Sequence, residues 1–542
     1  MSGAYARYRA PKASGATLVE PAEPGVGALL RQNARRLTDG GVRIAGRPLA
    51  ELRTAARQEL LATANRYTAS LLGEPSAPVS ASGAGASGAP SAASAPLILT
   101  GHQPGPCHPG VWWKNFALGA LSRKTGAVGV HLIIDSDLGA APTVNVPTGA
   151  IADLAYQAVP YDRPAPPAPF ENRPIESRQV WDSFAARTAA TLGPLVEGPL
   201  ITQCWPDAVA AAADGAPLGE AWTRLRVRLE RRWGLENLEA PLSAVCDGPA
   251  MAAFAAHLLA DAPRFRDAYN AALARYRTAH KLRNRAHPAP DLAGDLAGDD
   301  RWTESPFWVW TAGDPERRAV FSRPEADRVL LTDHAGWRIE APSEQLAATL
   351  ARLPAQGVKL RTRALTTTLF ARLLLCDLFL HGIGGAKYDG VTDDLFRHYF
   401  GLEPPTYLTL SATLHLPIGA TGALEGTTEA DIDRRLREIE FHPERPLADR
   451  PDASDAIAHK LRWIETAKTP ANAAERHRGI VAANAALGAL LTDERERLEA
   501  QRGPARARDR ARRIALSREH PYFLFPGEEL RETLTRLADT VL

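Results

Sequence analysis

The sequence predicts an α/β protein built on an open parallel sheet. Three observations carry that expectation. Short apolar runs at 97–99, 128–134 and 378–380 each pass directly into a polar or glycine-rich segment, as buried strands do. Helical periodicity follows the first run, with Trp112, Phe116 and Leu121 spaced by helical turns and Pro109 close to the first turn, where a missing N–H is harmless. The polar residues gather where the runs end, the edge at which open parallel sheets bind ligands.

Length and composition bound the rest. At 542 residues the chain calls for roughly three units, enough for a large core. Lys plus Arg total 64 against 62 Asp plus Glu, so the formal charge of +2 gives no global reason to expect nucleic acid or an anionic membrane as partner. Cys107, Cys204, Cys246 and Cys376 are widely spaced without a CxxC pair, which argues against a disulfide framework or zinc ribbon and favours a reducing compartment. The first fifteen residues lack an apolar signal core. No stretch reaches ~18 uninterrupted apolar residues, since the nearest, 365–380, carries Arg372 and Asp377. A cytoplasmic location without membrane contact is expected.

In chain order, residues 1–73 read as an N-terminal helical wrap, with Leu30, Leu37, Leu49, Leu52 and Leu60 spaced by helical turns over 27–72. Residues 74–96 form an Ala/Ser/Gly/Pro linker expected to be disordered. The first half of the core spans 97–248: the opening strand, helix and strand, extended chain over 143–161, helices over 177–232, and a candidate strand at 238–246. Residues 249–355 read as an insertion, with helices to about 285 stopped by His287-Pro288, then a hairpin or small sheet around its Gly-Asp-Pro turn. The second half of the core, 356–420, offers a helix, a short strand and a glycine-rich loop. Over 421–515 the chain turns polar and helical. There Ile480, Leu487, Leu491 and Leu498 step by seven, four and seven, the seam of an antiparallel or coiled-coil arm whose expected partner carries Ile457, Leu461 and Ile464. Residues 516–542 return to the body.

The stretch His102-Gln103-Pro104-Gly105-Pro106-Cys107-His108-Pro109-Gly110 suits an anion cradle. Gly101, Gly105 and Gly110 let backbone approach a ligand, and the following helix start offers unpaired N–H groups beside His102, Gln103, His108 and Lys114. His108-Pro109-Gly110, opening the helix after the first strand, is similar to the HxGH element of class I synthetases and nucleotidylyltransferases. A metal site from His102, Cys107 and His108 lacks a fourth ligand, so none is expected. Asp135-Ser136-Asp137 places two carboxylates at a strand end, fit for a cation, an amine or hydroxyl groups. Residues 382–389, with Gly384, Gly385, Lys387 and Tyr388, match neither GxGxxG nor a P-loop, and read as a loop whose backbone nears a ligand. Arg361 and Arg363 are candidates to clamp carboxylates bidentately. The arginine run from Arg502 to Arg513 lacks an aromatic platform, and a solvated helix is the better reading than an RNA site.

In this order, Thr100-Gly101-His102-Gln103, Lys114, Asp135-Ser136-Asp137, Arg363 and Gly384-Gly385-Ala386-Lys387-Tyr388 resemble the cysteine-adding enzymes of bacillithiol biosynthesis, the BshC family. That family carries a TGQQ-type loop, a helix lysine, an acidic D-x-D element, an arginine segment and a GGxxExxY-like loop. Here His102 replaces the first Gln, Ser136 stands at the family's His, and Lys387 lies near its acidic position. The resemblance covers roughly residues 97–540. It implies a Rossmann-like core with a coiled-coil arm, and an amide ligase joining the carboxylate of cysteine to the amine of an amino-sugar acceptor such as glucosaminyl-malate. In that reading His102, Gln103, His108 and Lys114 stabilise the activated carboxylate, with ATP or another nucleotide as a candidate cofactor. Asp135 and Asp137 hold the amine or hydroxyls, Arg363 and Lys387 receive acidic groups of the acceptor, and the arm is a candidate homodimer contact. Two alternatives stand beside it: a nucleotidylyltransferase-like or adenylating enzyme on another small molecule, and a non-catalytic ligand-binding scaffold.

Overall fold

A computed structural model describes residues 5, 7–38, 41–75, 95–294, 301–311, 313–419 and 421–541; most of the expected linker, 76–94, lies outside the described residues. Six strands form the main sheet: β1 (Ala16–Glu20), β2 (Leu97–His102), β3 (Val128–Ile133), β4 (Leu238–Pro241), β5 (Leu378–His381) and β6 (Leu408–Thr413). Their spatial order is β1-β6-β5-β2-β3-β4. All neighbours pair in parallel except β1, which runs antiparallel to β6. Counted in chain order, the five parallel strands lie 3-2-1-4-5. The order therefore reverses between β2 and β5, whose registers meet at Leu99 opposite Phe379.

Strand periodicity splits the apolar side chains between two layers. Leu97, Leu99, Val130, Leu132 and Phe379 join a core with Leu52, Ala56 and Leu60 of α1 (Leu49–Leu72). Ile98, Leu378, Leu380, Leu408 and Leu410 join the opposite core with Trp112, Trp113 and Phe116 of α2 (Pro109–Thr125). Alternation with both faces covered is what a buried parallel sheet requires. The C-terminal aromatics Tyr522, Phe523 and Phe525 are buried in the second core, tying the return segment to α2.

A second, antiparallel sheet runs (Arg338–Pro342)-(Arg328–Thr332)-(Asp314–Pro324)-(Thr303–Thr311)-(Val358–Thr362). Its Phe307, Val309, Val320, Val329 and Leu331 join the first core. The hairpin expected after the Ala262–His280 helix is therefore part of a five-stranded sheet. Val358–Thr362, expected within a helix, supplies its last strand, because the alternating Val358, Leu360 and Thr362 pair with Thr311 to Phe307. The extended stretch at 143–161 is the antiparallel hairpin Thr143–Thr148 and Ala155–Pro160.

Four helices (Glu429–Phe441, Ser454–Glu465, Ala473–Ala489 and Thr492–Ala515) close on their own small core of Ile432, Ile439, Leu447, Leu487, Leu491 and Leu498. Ile457 packs against this core, whereas the expected seam residues Leu461 and Ile464 are exposed. Ser454–Glu465 packs along Ala473–Ala489, the expected pairing, and Glu429–Phe441, opened by a Thr428/Asp431 capping box, packs along Thr492–Ala515. Among the described residues, no helix is long and apolar enough to cross a membrane.

Candidate functional site

A cleft of about 650 Å³ opens at the carboxyl ends of β2 and β5, where the strand order reverses. Each strand feeds almost at once into a helix: β2 into α2, and β5 into α3 (Ile383–His398), capped by Gly382. The expected glycine loop is thus the first turn of α3. Glycine is a poor helix former, but here close packing decides. A Cβ on Gly385 would lie 2.7 Å from His381 Nδ1, and one on Gly110, in the first turn of α2, would lie 2.0 Å from the carbonyl oxygen of Ala412 on β6.

The walls are cationic. Arg9, Lys114, Lys387 and Arg518 line the cleft against one carboxylate, Glu519, which is largely exposed. Lys114 is buried and donates from Nζ to the Gly101 carbonyl at 2.9 Å, and burial pushes its pKa down to about 8. Arg518 donates to Ser411 Oγ at 2.9 Å. His108 caps α2 by accepting the Gly110 N–H at 3.1 Å through Nδ1, which leaves its Nε2–H as a donor. Burial, with Arg518 and Lys114 nearby, pushes His108 down to about 4. His102 is pushed down to about 3, first by burial and then by Lys114; its Nδ1–H donates to the Gln103 carbonyl at 2.9 Å. At neutral pH the cleft offers ammonium, guanidinium, neutral imidazole and the N-terminus of α3, an arrangement suited to a phosphate or carboxylate, while the first-turn N–H groups of α2 are taken by His108. No group of His, Cys, Asp and Glu among the described residues is placed to hold a metal ion.

The structure brings Gly101, His102, His108, Gly110, Lys114, Gly384, Gly385 and Lys387 to this cleft. It takes the other candidates elsewhere. Gln103 is exposed and donates to Asp137 Oδ2 at 2.6 Å, and Arg317 bonds both Asp137 Oδ1 and the Ser136 carbonyl. Gly105 lines a separate cavity of about 20 Å³ beside His131 and Arg226, a pair bound up with Glu239. Asp135 is buried, and its carboxylate accepts from Ser243 N–H at 2.9 Å and from Ser243 Oγ. Burial and then nearby Glu171 push Asp135 up to about 6. Arg361 forks onto Glu171 at 2.9 and 3.1 Å and reaches Asp247 at 2.7 Å, so its bidentate partner is internal. Arg363 bonds Glu304 at 2.7 Å and lies over the Trp308 ring. Tyr388 packs edge-on to His287 and joins the first core.

Sequence reasoning missed His381, Arg518 and Arg9. His381 carries the same signal as His102, a polar residue closing a buried strand at the ligand edge. Arg518 and Arg9 come from the two ends of the chain, and no local pattern connects them to β2. No protein-family model matches the chain, and comparison with curated proteins returns no match.

Proposed function

We propose that the chain is an enzyme with a Rossmann-like core that forms a carbon–nitrogen amide bond in the cleft between β2 and β5. The reading follows the resemblance to the cysteine-adding enzymes of bacillithiol synthesis: cysteine is the acyl donor and an amino-sugar such as glucosaminyl-malate the acceptor. One observation supports it above the others. At the reversal of a 3-2-1-4-5 strand order, two helix starts converge with Lys114, Arg518 and His108 on one cleft.

A free carboxylate is a poor acyl donor. Activation as a phosphate anhydride creates a leaving group with two or more negative charges, and a cationic wall stabilises that charge as the anhydride bond breaks. Lys114, fixed on Gly101, and Arg518, fixed on Ser411, are held ready for that role.

The test is incubation of the full chain with ATP, cysteine and glucosaminyl-malate, following the amide product by mass spectrometry and the phosphate products enzymatically. Product mass equal to the sum of the two substrates less water, formed only with nucleotide, is the expected result. Pyrophosphate release with cysteine alone marks an adenylating enzyme. Absence of the amide across amino-sugar acceptors overturns the reading.

A further inference from the structure

His381 differs from the other imidazoles of the cleft in being held by a carboxylate from behind. It closes β5, is buried, and its Nε2 lies 2.9 Å from Asp389 Oδ2, two turns along α3. The same Asp389 oxygen receives Arg372 Nη1, and Arg372 also reaches Asp393 at 2.7 Å and the Pro405 carbonyl. Burial alone would raise the Asp389 pKa; Arg372 and then His381 more than offset it and hold the carboxyl well below the usual range. An ionised carboxylate can only accept. In the neutral imidazole the proton therefore sits on Nε2, and Nδ1 carries the lone pair.

Nδ1 makes no hydrogen bond among the described residues, and it faces Gly385, whose missing side chain leaves the approach open: a Cβ there would stand 2.7 Å from Nδ1. Phe379 and Tyr407 pack on the ring, with centroids at 4.5 and 4.9 Å, and fix its plane. His381 and Gly385 both line the cleft that holds Lys114 and Arg518. A histidine used only to neutralise Asp389 has no need of an open second nitrogen.

We propose that His381, oriented by Asp389, is the general base of the cleft, accepting at Nδ1 the proton of an attacking amine. The inference rests on the amide-forming reading above, with an acyl phosphate drawn from a nucleoside triphosphate as donor. The amine lone pair forms the C–N bond to the acyl carbon. The C–O bond to phosphate breaks, and its electron pair leaves on the phosphate oxygen toward Lys114 and Arg518. The proton shed by nitrogen passes to Nδ1. Asp389 is a positioning residue, and Arg372 keeps it ionised. General-base catalysis of this kind contributes roughly a hundredfold to ten-thousandfold in rate.

Two measurements test this on the full chain. In the amide assay, His381→Gln is expected to lower kcat at least about a hundredfold with nucleotide KM little changed, and Asp389→Asn to lower kcat with the same split. Independently of turnover, carbethoxylation by diethylpyrocarbonate, mapped by mass spectrometry, is expected at His381 of the wild type. Gly385→Ala, whose methyl covers Nδ1, is expected to suppress it. If the wild type forms no amide while His381 reacts and Gly385→Ala shields it, the amide reading fails and the open, carboxylate-held base stands. If His381 is inert in the folded wild type, or His381→Gln keeps kcat within about threefold, against the hundredfold a general base supplies, the inference is overturned.

Discussion

The carboxyl edge of one sheet carries two polar clusters that treat charge in opposite ways. Beyond β2 and β5, Lys114, Arg518, Lys387 and Arg9 face a cleft whose one carboxylate among the described residues, Glu519, is exposed and lies beside Arg518. Beyond β3, Arg361 meets Glu171 and Asp247, Lys359 meets Glu171 at 2.9 Å, and Asp135 is closed over by Ser243. Both lie where parallel sheets bind ligands, so position alone does not separate them. Compensation does. A buried cation already matched by internal carboxylates has no charge left for a ligand, whereas one anchored on a backbone carbonyl keeps its full charge. The second cluster joins the two sheets, since Arg361 stands on the last strand of the smaller one and Asp135 at the end of β3.

The largest expected effect is on the matched cluster. Arg361→Ala leaves the buried Glu171 with Lys359 still beside it and leaves Asp247 to solvent, so a loss of about 3 kcal/mol, the low end for breaking a buried pair, is expected in denaturant unfolding. Pyrophosphate affinity of the molecules that remain folded is expected to be unchanged. A loss under about 1 kcal/mol would make the cluster a solvated face and break the comparison.

Asp135 gives the next effect through pH. Its folded pKa, about 6, lies above the unfolded carboxyl near 4, so between those values the folded chain holds a proton that the unfolded chain has released. Stability therefore falls as pH rises through roughly 4 to 6, by about 2–3 kcal/mol from this group, and is flat in it above. Unfolding curves of Asp135→Asn across that window are expected to lack this fall.

The cleft is expected to respond in binding more than in stability. Lys114→Met removes a buried charge anchored on one carbonyl, so stability is expected to shift by about 1 kcal/mol or less. Anion affinity is expected to drop about tenfold, roughly 1.4 kcal/mol. Because Lys114 loses its proton as pH rises through about 8, wild-type affinity is expected to weaken across that point and that of Lys114→Met to change less there. The smallest effect belongs to Gln103→Ala. Its bond to Asp137 is exposed, and a change within about 0.5 kcal/mol is expected by thermal unfolding.

The parallel strands at 97–102 and 128–133 were legible because their apolar runs are bounded by glycine and polar residues, and α2 because Trp112, Phe116 and Leu121 repeat by turns. β1 and β6 were not, because a five-residue Ala-Thr-Leu-Val-Glu segment and the Leu408–Thr413 run have meaning only once paired with each other across the whole chain. At the site, His102, His108 and Lys114 followed from one contiguous motif. Asp135 and Arg361 carried the same kind of signal and went elsewhere, because the groups that match them, Ser243, Glu171 and Asp247, lie on separate elements that only tertiary packing brings near. α3 was hidden by its glycines, of which Gly385 serves close approach to His381 rather than a loop.

The most direct test is calorimetric titration of inorganic pyrophosphate into the wild type and Lys114→Met, side by side at neutral pH. The account predicts one site in the wild type and affinity weaker by about tenfold in the variant. No binding to the wild type, or equal affinity in both, would contradict the claim that Lys114 and the cations beside it between β2 and β5 form the ligand site.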